Sequence, residues 1–220
     1  MLVSKRYWWV LITYIIMILS AFIGVPLLHL FETPLEIIPG LWSVISFSLG
    51  LIIILILLLP DMRERHLVRN RSSRTDAIMW SVIGVFMAFV AQYIAIYISV
   101  FILGVEPGSD NTERISSYAR AFPIFIIVMA IIGPILEEIV FRQIIFGSLY
   151  KKYNFFIAAL ISSFIFAIVH RDLDYLLVYI ALAFVFAFLY VKTKRIIVPI
   201  IAHAAMNTLA VLVHVVYGER

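Results

Sequence analysis

Apolar residues run through this chain in seven long stretches, covering residues 7–31, 38–59, 77–103, 122–150, 155–169, 175–191 and 196–217, with short polar segments between them. A helix of about 20 apolar residues crosses the roughly 30 Å hydrocarbon layer of a bilayer. Runs of that order recur from one end of the sequence to the other. The pattern predicts an all-α polytopic membrane protein, a bundle of about seven transmembrane helices. The first stretch continues to about residue 31 without an Ala-x-Ala-like cleavage site, so it is expected to remain as a span. Composition agrees: 64% of residues are hydrophobic, 14% are charged, and the mean hydropathy is +1.09, well outside the range of a water-soluble domain.

The polar segments carry an asymmetric charge. Lys5, Arg6, Arg63, Arg65, Arg69, Arg71, Arg74, Lys151, Lys152, Lys192, Lys194 and Arg195 all fall on one side of the predicted bundle. The other side receives Arg114, Arg120, Arg171 and Arg220 together with Glu32, Glu36, Glu106, Asp110 and Glu113. Positively charged loops stay in the cytoplasm, which places the N-terminus inside and the C-terminus outside. The same asymmetry accounts for the net charge of +4 through topology and contact with anionic lipid headgroups, with no nucleic acid as partner. Tyr7, Trp8 and Trp9 read as an interfacial anchor. The chain has no cysteine, which excludes disulfides, thiolate metal sites and a cysteine nucleophile. Residues 1–120 supply three spans and a basic loop, and residues 121–220 supply four spans and all the candidate chemistry; one integrated domain is expected.

That chemistry begins in GPILEEIVFR, residues 133–142, where Glu137, Glu138 and Arg142 interrupt an otherwise apolar span. Each ionisable group costs roughly 2.5–3.5 kcal/mol to insert, so compensation is required. Glu138 and Arg142 are four apart, on one helix face and in the favourable order for an ion pair. Glu137 is turned about 100° away from Glu138, towards other helices, and Pro134 removes a backbone donor just before it. Its possible partners are His170, at the end of the fifth stretch, and His203 and Asn207, which share a face of the seventh. At 1.5 Å per residue, Glu137, His170 and Asn207 lie roughly 18–23 Å from the cytoplasmic ends of their helices and His203 roughly 12 Å, so the four can meet near mid-membrane. His214 shares the face of His203 but lies about 16 Å higher, at the interface. His29 and His66, at or beyond span ends, carry no assignment.

In order and spacing, EEIVFR (Glu137, Glu138, Arg142), FAIVH (Phe166, His170) and HAAMN (His203, Asn207) resemble the motifs of the CPBP, or Abi, family of intramembrane proteases, which includes the type II CAAX prenyl endopeptidases. The resemblance covers about residues 134–207. It implies that Glu137 is a general base, that His170 helps hold the attacking water, and that His203 and Asn207 stabilise the oxyanion, with Glu138 and Arg142 in support. It further implies an endopeptidase acting on a membrane-associated peptide or protein, expected to cut near the cytoplasmic leaflet and to need no cofactor; the compact size and absence of targeting extensions point to a bacterial plasma membrane. The family's older naming as metalloproteases leaves Glu137, His170 and His203 open as ligands of a divalent metal such as zinc. His-Glu-x-x-His is absent, as are the Gly-x-Ser-Gly and Gly-x-Gly-Asp motifs of other intramembrane proteases. Two further readings stand beside the enzyme: a non-catalytic scaffold that regulates another membrane protein, and a small transporter with a proton-relay glutamate, for which no pair of Gly/Pro-broken helices in symmetric halves is seen.

Overall fold

The computed structural model describes residues 4–217, with side chains through Val213; the side chain of His214 and all of Arg220 lie outside it. Among the described residues the chain forms eight helical stretches and no strand. These are α1 (Lys5–Leu30), α2 (Ile38–Glu64), α3 (Arg74–Ile102), α4 (Asp110–Ala121), α5 (residues 125–150), α6 (Phe155–Val169), α7 (Leu176–Thr193) and α8 (Ile197–Tyr217). Seven coincide with the seven apolar stretches. By length and composition α1, the first twenty residues of α2, α3 and α7 suffice to cross a membrane, while α6 and the Ile197–Val213 part of α8 are shorter apolar stretches. The eighth, α4, is a polar helix where a loop was expected.

Short polar side chains set the helix starts. Ser73 opens α3 with a capping box: its hydroxyl accepts from the Asp76 N–H at 3.0 Å, and the Asp76 carboxylate accepts from the Ser73 N–H at 3.2 Å. Ser109 and Asn154 cap α4 and α6 in the same sense, accepting from Thr112 and Ile157 N–H groups. Lys194, in the left-handed conformation, ends α7. Helix α1 is interrupted at Ser20, whose hydroxyl donates to the Met17 carbonyl and accepts from the Trp42 indole of α2 at 3.1 Å. Gly24 lies so close to that indole that a Cβ there would overlap the ring.

Helix α5 departs from regular geometry twice. Residues 128–132 and 138–146 wind as π-helix, with α-helical turns before, between and after them. Pro134 lacks an N–H, and its ring crowds the carbonyl four residues back. The wider turn just before it relieves that crowding by a local rewinding of the helix. The second π segment starts at Glu138. Pro199, in contrast, falls in the first turn of α8, where its missing donor breaks no intrahelical bond.

Buried packing joins the helices around α5. Val10, Met17, Ile54, Leu58, Leu136, Val140 and Ile144 pack α1 and α2 against it, and Phe146, Ala158, Ala159 and Ala187 close its C-terminal end against α6 and α7. Ala88, Leu182, Phe186, Leu189, Val198 and Ala202 join α3, α7 and α8. Large apolar side chains such as Phe22, Ile23, Phe86 and Phe101 stay exposed on the outside of α1 and α3, as a lipid-facing surface requires.

Candidate active site

Helices α5, α6 and α8 bring the motif residues to one cavity of about 620 Å³, whose walls include Glu137, His170, His203 and Asn207. Two consecutive glutamates on α5 have opposite surroundings. Glu138 is fully buried, while the side chain of Glu137 is 19% exposed and lines the cavity. The angular offset of neighbouring helical residues produces this division.

Glu138 sits between Arg142 and His203. Its Oε2 lies 3.1 Å from Nε of Arg142, the expected (i,i+4) pair, although the N–H is not aimed at the oxygen, so this contact is ionic and not an aligned hydrogen bond. Its Oε1 accepts from Nδ1 of His203, 65 residues away, at 2.9 Å. That second contact was not foreseen from sequence. Because a carboxylate only accepts, the Nδ1 of His203 carries a proton, and Nε2 is turned towards Glu137 Oε2 at 3.7 Å. The His203 ring also stacks on Phe186, with centroids 4.7 Å apart. The buried Arg142 guanidinium lies over Phe166 at 4.5 Å and faces Phe186 at 5.5 Å. Cation–π attraction therefore compensates part of the cost of its burial. Phe166, otherwise a packing residue, thus touches both the arginine and, at 4.4 Å between centroids, the His170 ring.

His170 closes the C-terminus of α6. Its Nδ1 is 2.8 Å from the Phe166 carbonyl, and its ring stacks on Tyr179 of α7 at 4.3 Å. A carbonyl also only accepts, so this contact fixes the tautomer, with Nε2 as the other ring position. Tyr179 in turn reaches Asp172 and Asn111, and Ser109 donates to Asp172 at 2.6 Å, so the start of α4 is tied to the turn that carries His170. Nothing in the motif spacing pointed to Tyr179 or Asp172. Asn207 donates through Nδ2 to the Met129 carbonyl in the first π segment at 3.1 Å, and its amide keeps a second N–H.

Among the described residues no three His, Asp or Glu side chains are grouped as a metal ion would need, Glu137, His170 and His203 included. Gly108, Thr112, Glu113 and Arg114 are exposed at the rim of the cavity, and none of its wall residues comes from the basic loops. Helices α1 to α3, silent in the motifs, supply Tyr14, Ile18, Ser43, Phe47, Gln92 and Ile96 to its walls.

Residues 119–209 match the family described as type II CAAX prenyl endopeptidase Rce1-like. Over 217 residues, 94% of this chain and 88% of the relative, the sequence is 48% identical to "Putative membrane peptidase YdiL" of Bacillus subtilis. It is 35% identical over 229 aligned residues, 97% of this chain and 92% of the relative, to "Membrane-embedded CAAX protease MroQ" of Staphylococcus aureus. No solved structure matches the chain.

Proposed function

This chain belongs to the CPBP family of CAAX-type membrane proteases and is an integral protein of the bacterial plasma membrane; on that premise we propose that it hydrolyses peptide bonds with a water activated by Glu137. The observation that carries this reading is the division between the two glutamates: one is held in a buried ion pair, the other faces a cavity it shares with His170, His203 and Asn207. Glu137, as carboxylate, takes a proton from a water positioned with His170. The hydroxide attacks the carbonyl carbon of a peptide bond, and the carbonyl oxygen becomes an oxyanion. His203 and the free N–H of Asn207 stabilise that oxyanion; such donors contribute about 2.7–4 kcal/mol each in a dry site. Collapse of the tetrahedral intermediate breaks the C–N bond, and the proton held by Glu137 passes to the leaving amine.

Glu138 acts on this step through His203. By fixing the Nδ1 proton it orients the ring with Nε2 towards the cavity, and the oxyanion role requires Nε2 to carry a proton as well. Arg142 balances the pair. No metal ion enters this scheme. A membrane-associated peptide or protein is the substrate, and the bilayer is the other partner.

Mass spectrometry of peptide termini tests the assignment in cells. Cells carrying the wild-type chain are expected to contain new N- and C-termini, from membrane or exported polypeptides, that vanish in a Glu137→Gln strain of equal expression. Identical terminus profiles in the two strains, with a cellular phenotype also unchanged by His203→Ala, would point instead to a scaffold.

A further inference from the structure

We propose that the scissile peptide is presented from the extracytoplasmic side of the membrane, as the outer segment of a membrane protein or an exported peptide, and not as a cytoplasmic C-terminus. This rests on the protease reading and adds the direction from which the site is filled.

The structure gathers the basic segments at one end of the bundle. Ser72 N–H donates to the Thr193 carbonyl at 3.1 Å, Lys194 Nζ to the Arg69 carbonyl at 3.1 Å, and Arg195 Nε to the Ser72 carbonyl at 2.8 Å. Arg6 pairs with Asp61 at 3.5 Å, which adds the N-terminus to the same end. Phe146, one turn before the end of α5, contacts Tyr190 near the end of α7, bringing Lys151 and Lys152 there too. Twelve lysines and arginines therefore share one face, and by the retention of positive loops that face is cytoplasmic.

The opposite end is built from α4 and the α6–α7 turn, joined by the Ser109–Asp172 bond and by the Gly108 N–H, which donates to the Tyr175 hydroxyl at 2.7 Å. These two elements frame the mouth of the cavity. From there the walls descend along α1, α2, α3, α5, α7 and α8 to Glu137 and His203, and no wall residue comes from the basic loops. Below the site the space is filled: Phe146, Ala158, Ala159, Ala187, Leu189, Ile54 and Leu58 are all at least 98% buried. A cytoplasmic peptide would have to pass through that packing. An outer one meets a rim of Ser109, Asn111 and Thr112, which can bond to an extended backbone, and then apolar walls including Ile96, Leu182 and Met206. Such a site suits a segment with apolar side chains leaving or entering the outer leaflet.

A chain without cysteine makes the test direct. Thr112→Cys at the rim and Lys151→Cys on the basic face are expressed separately in spheroplasts and treated with a membrane-impermeant maleimide; Glu113→Cys and Lys192→Cys serve if either first choice fails to accumulate. Thr112→Cys is expected to label in intact spheroplasts and Lys151→Cys only after lysis. Labelling of Lys151→Cys from outside, alone or together with Thr112→Cys, overturns the proposal. Because labelling needs no catalysis, that outcome leaves the protease assignment untouched, and loss of the protease assignment leaves the labelling result standing. A bulky maleimide attached to Thr112→Cys from outside is further expected to suppress formation of the Glu137-dependent termini; undiminished cleavage would reject this route of entry.

Discussion

Glu138 is buried completely between His203 and Arg142, while Glu137, the next residue, faces the cavity, and exchanging each for glutamine should separate their roles. Removing one member of a buried ion pair leaves the other uncompensated, a loss of about 3–5 kcal/mol. Glu138→Gln is therefore expected to lower the thermal midpoint of the purified protein in detergent clearly, and Glu137→Gln hardly at all. Equal midpoints for the two would contradict the division of labour. Arg142→Lys should fall between, since it keeps the charge but not the flat guanidinium lying over Phe166. At this scale the sequence made the Glu138–Arg142 pair legible, because spacing along one helix fixes it. The Glu138–His203 bond and the stacking of His170 on Tyr179 were not legible: they join residues on different helices, and no local rule sets that distance.

Helix α5 shows how an element tunes a site. Its two π segments displace the register on either side of Glu137, and neighbouring helices bond to carbonyls within them: Asn207 to Met129, and Ser162 of α6 to Phe141 at 2.8 Å. Ser162→Ala removes the second of these bonds in a buried setting, where an unpaired polar group costs about 1–3 kcal/mol. A loss of thermal stability of that size is expected, with catalysis largely retained by the fraction that stays folded. No measurable loss would mean that the bond contributes nothing to α5. The apolar stretches revealed seven helices because length and hydropathy suffice for that. They could not reveal the π turns, which depend on Pro134 together with partners from α6 and α8. Helix α4 was missed for another reason. Its polar sequence from Asp110 reads as a loop, and only the Ser109 cap and the spacing of Ile115, Tyr118 and Ala119 hint at a turn structure.

For the whole molecule, a bundle closely packed at its basic end and open towards the other places the Glu137 carboxylate within a cavity that helices α1 to α3 help to wall. The charge asymmetry was visible in the sequence, and so were the three motifs. The depth and opening of the cavity were not, since they follow from how eight helices pack and not from any one of them. The most direct measurement is the rate at which purified protein, reconstituted in liposomes, cleaves a peptide identified by terminus profiling, compared with Glu137→Gln of unchanged thermal midpoint. The account predicts that the glutamine variant is slower by about 10²–10⁴-fold, the contribution expected of a positioned general base. A rate within a few-fold of wild type would contradict it.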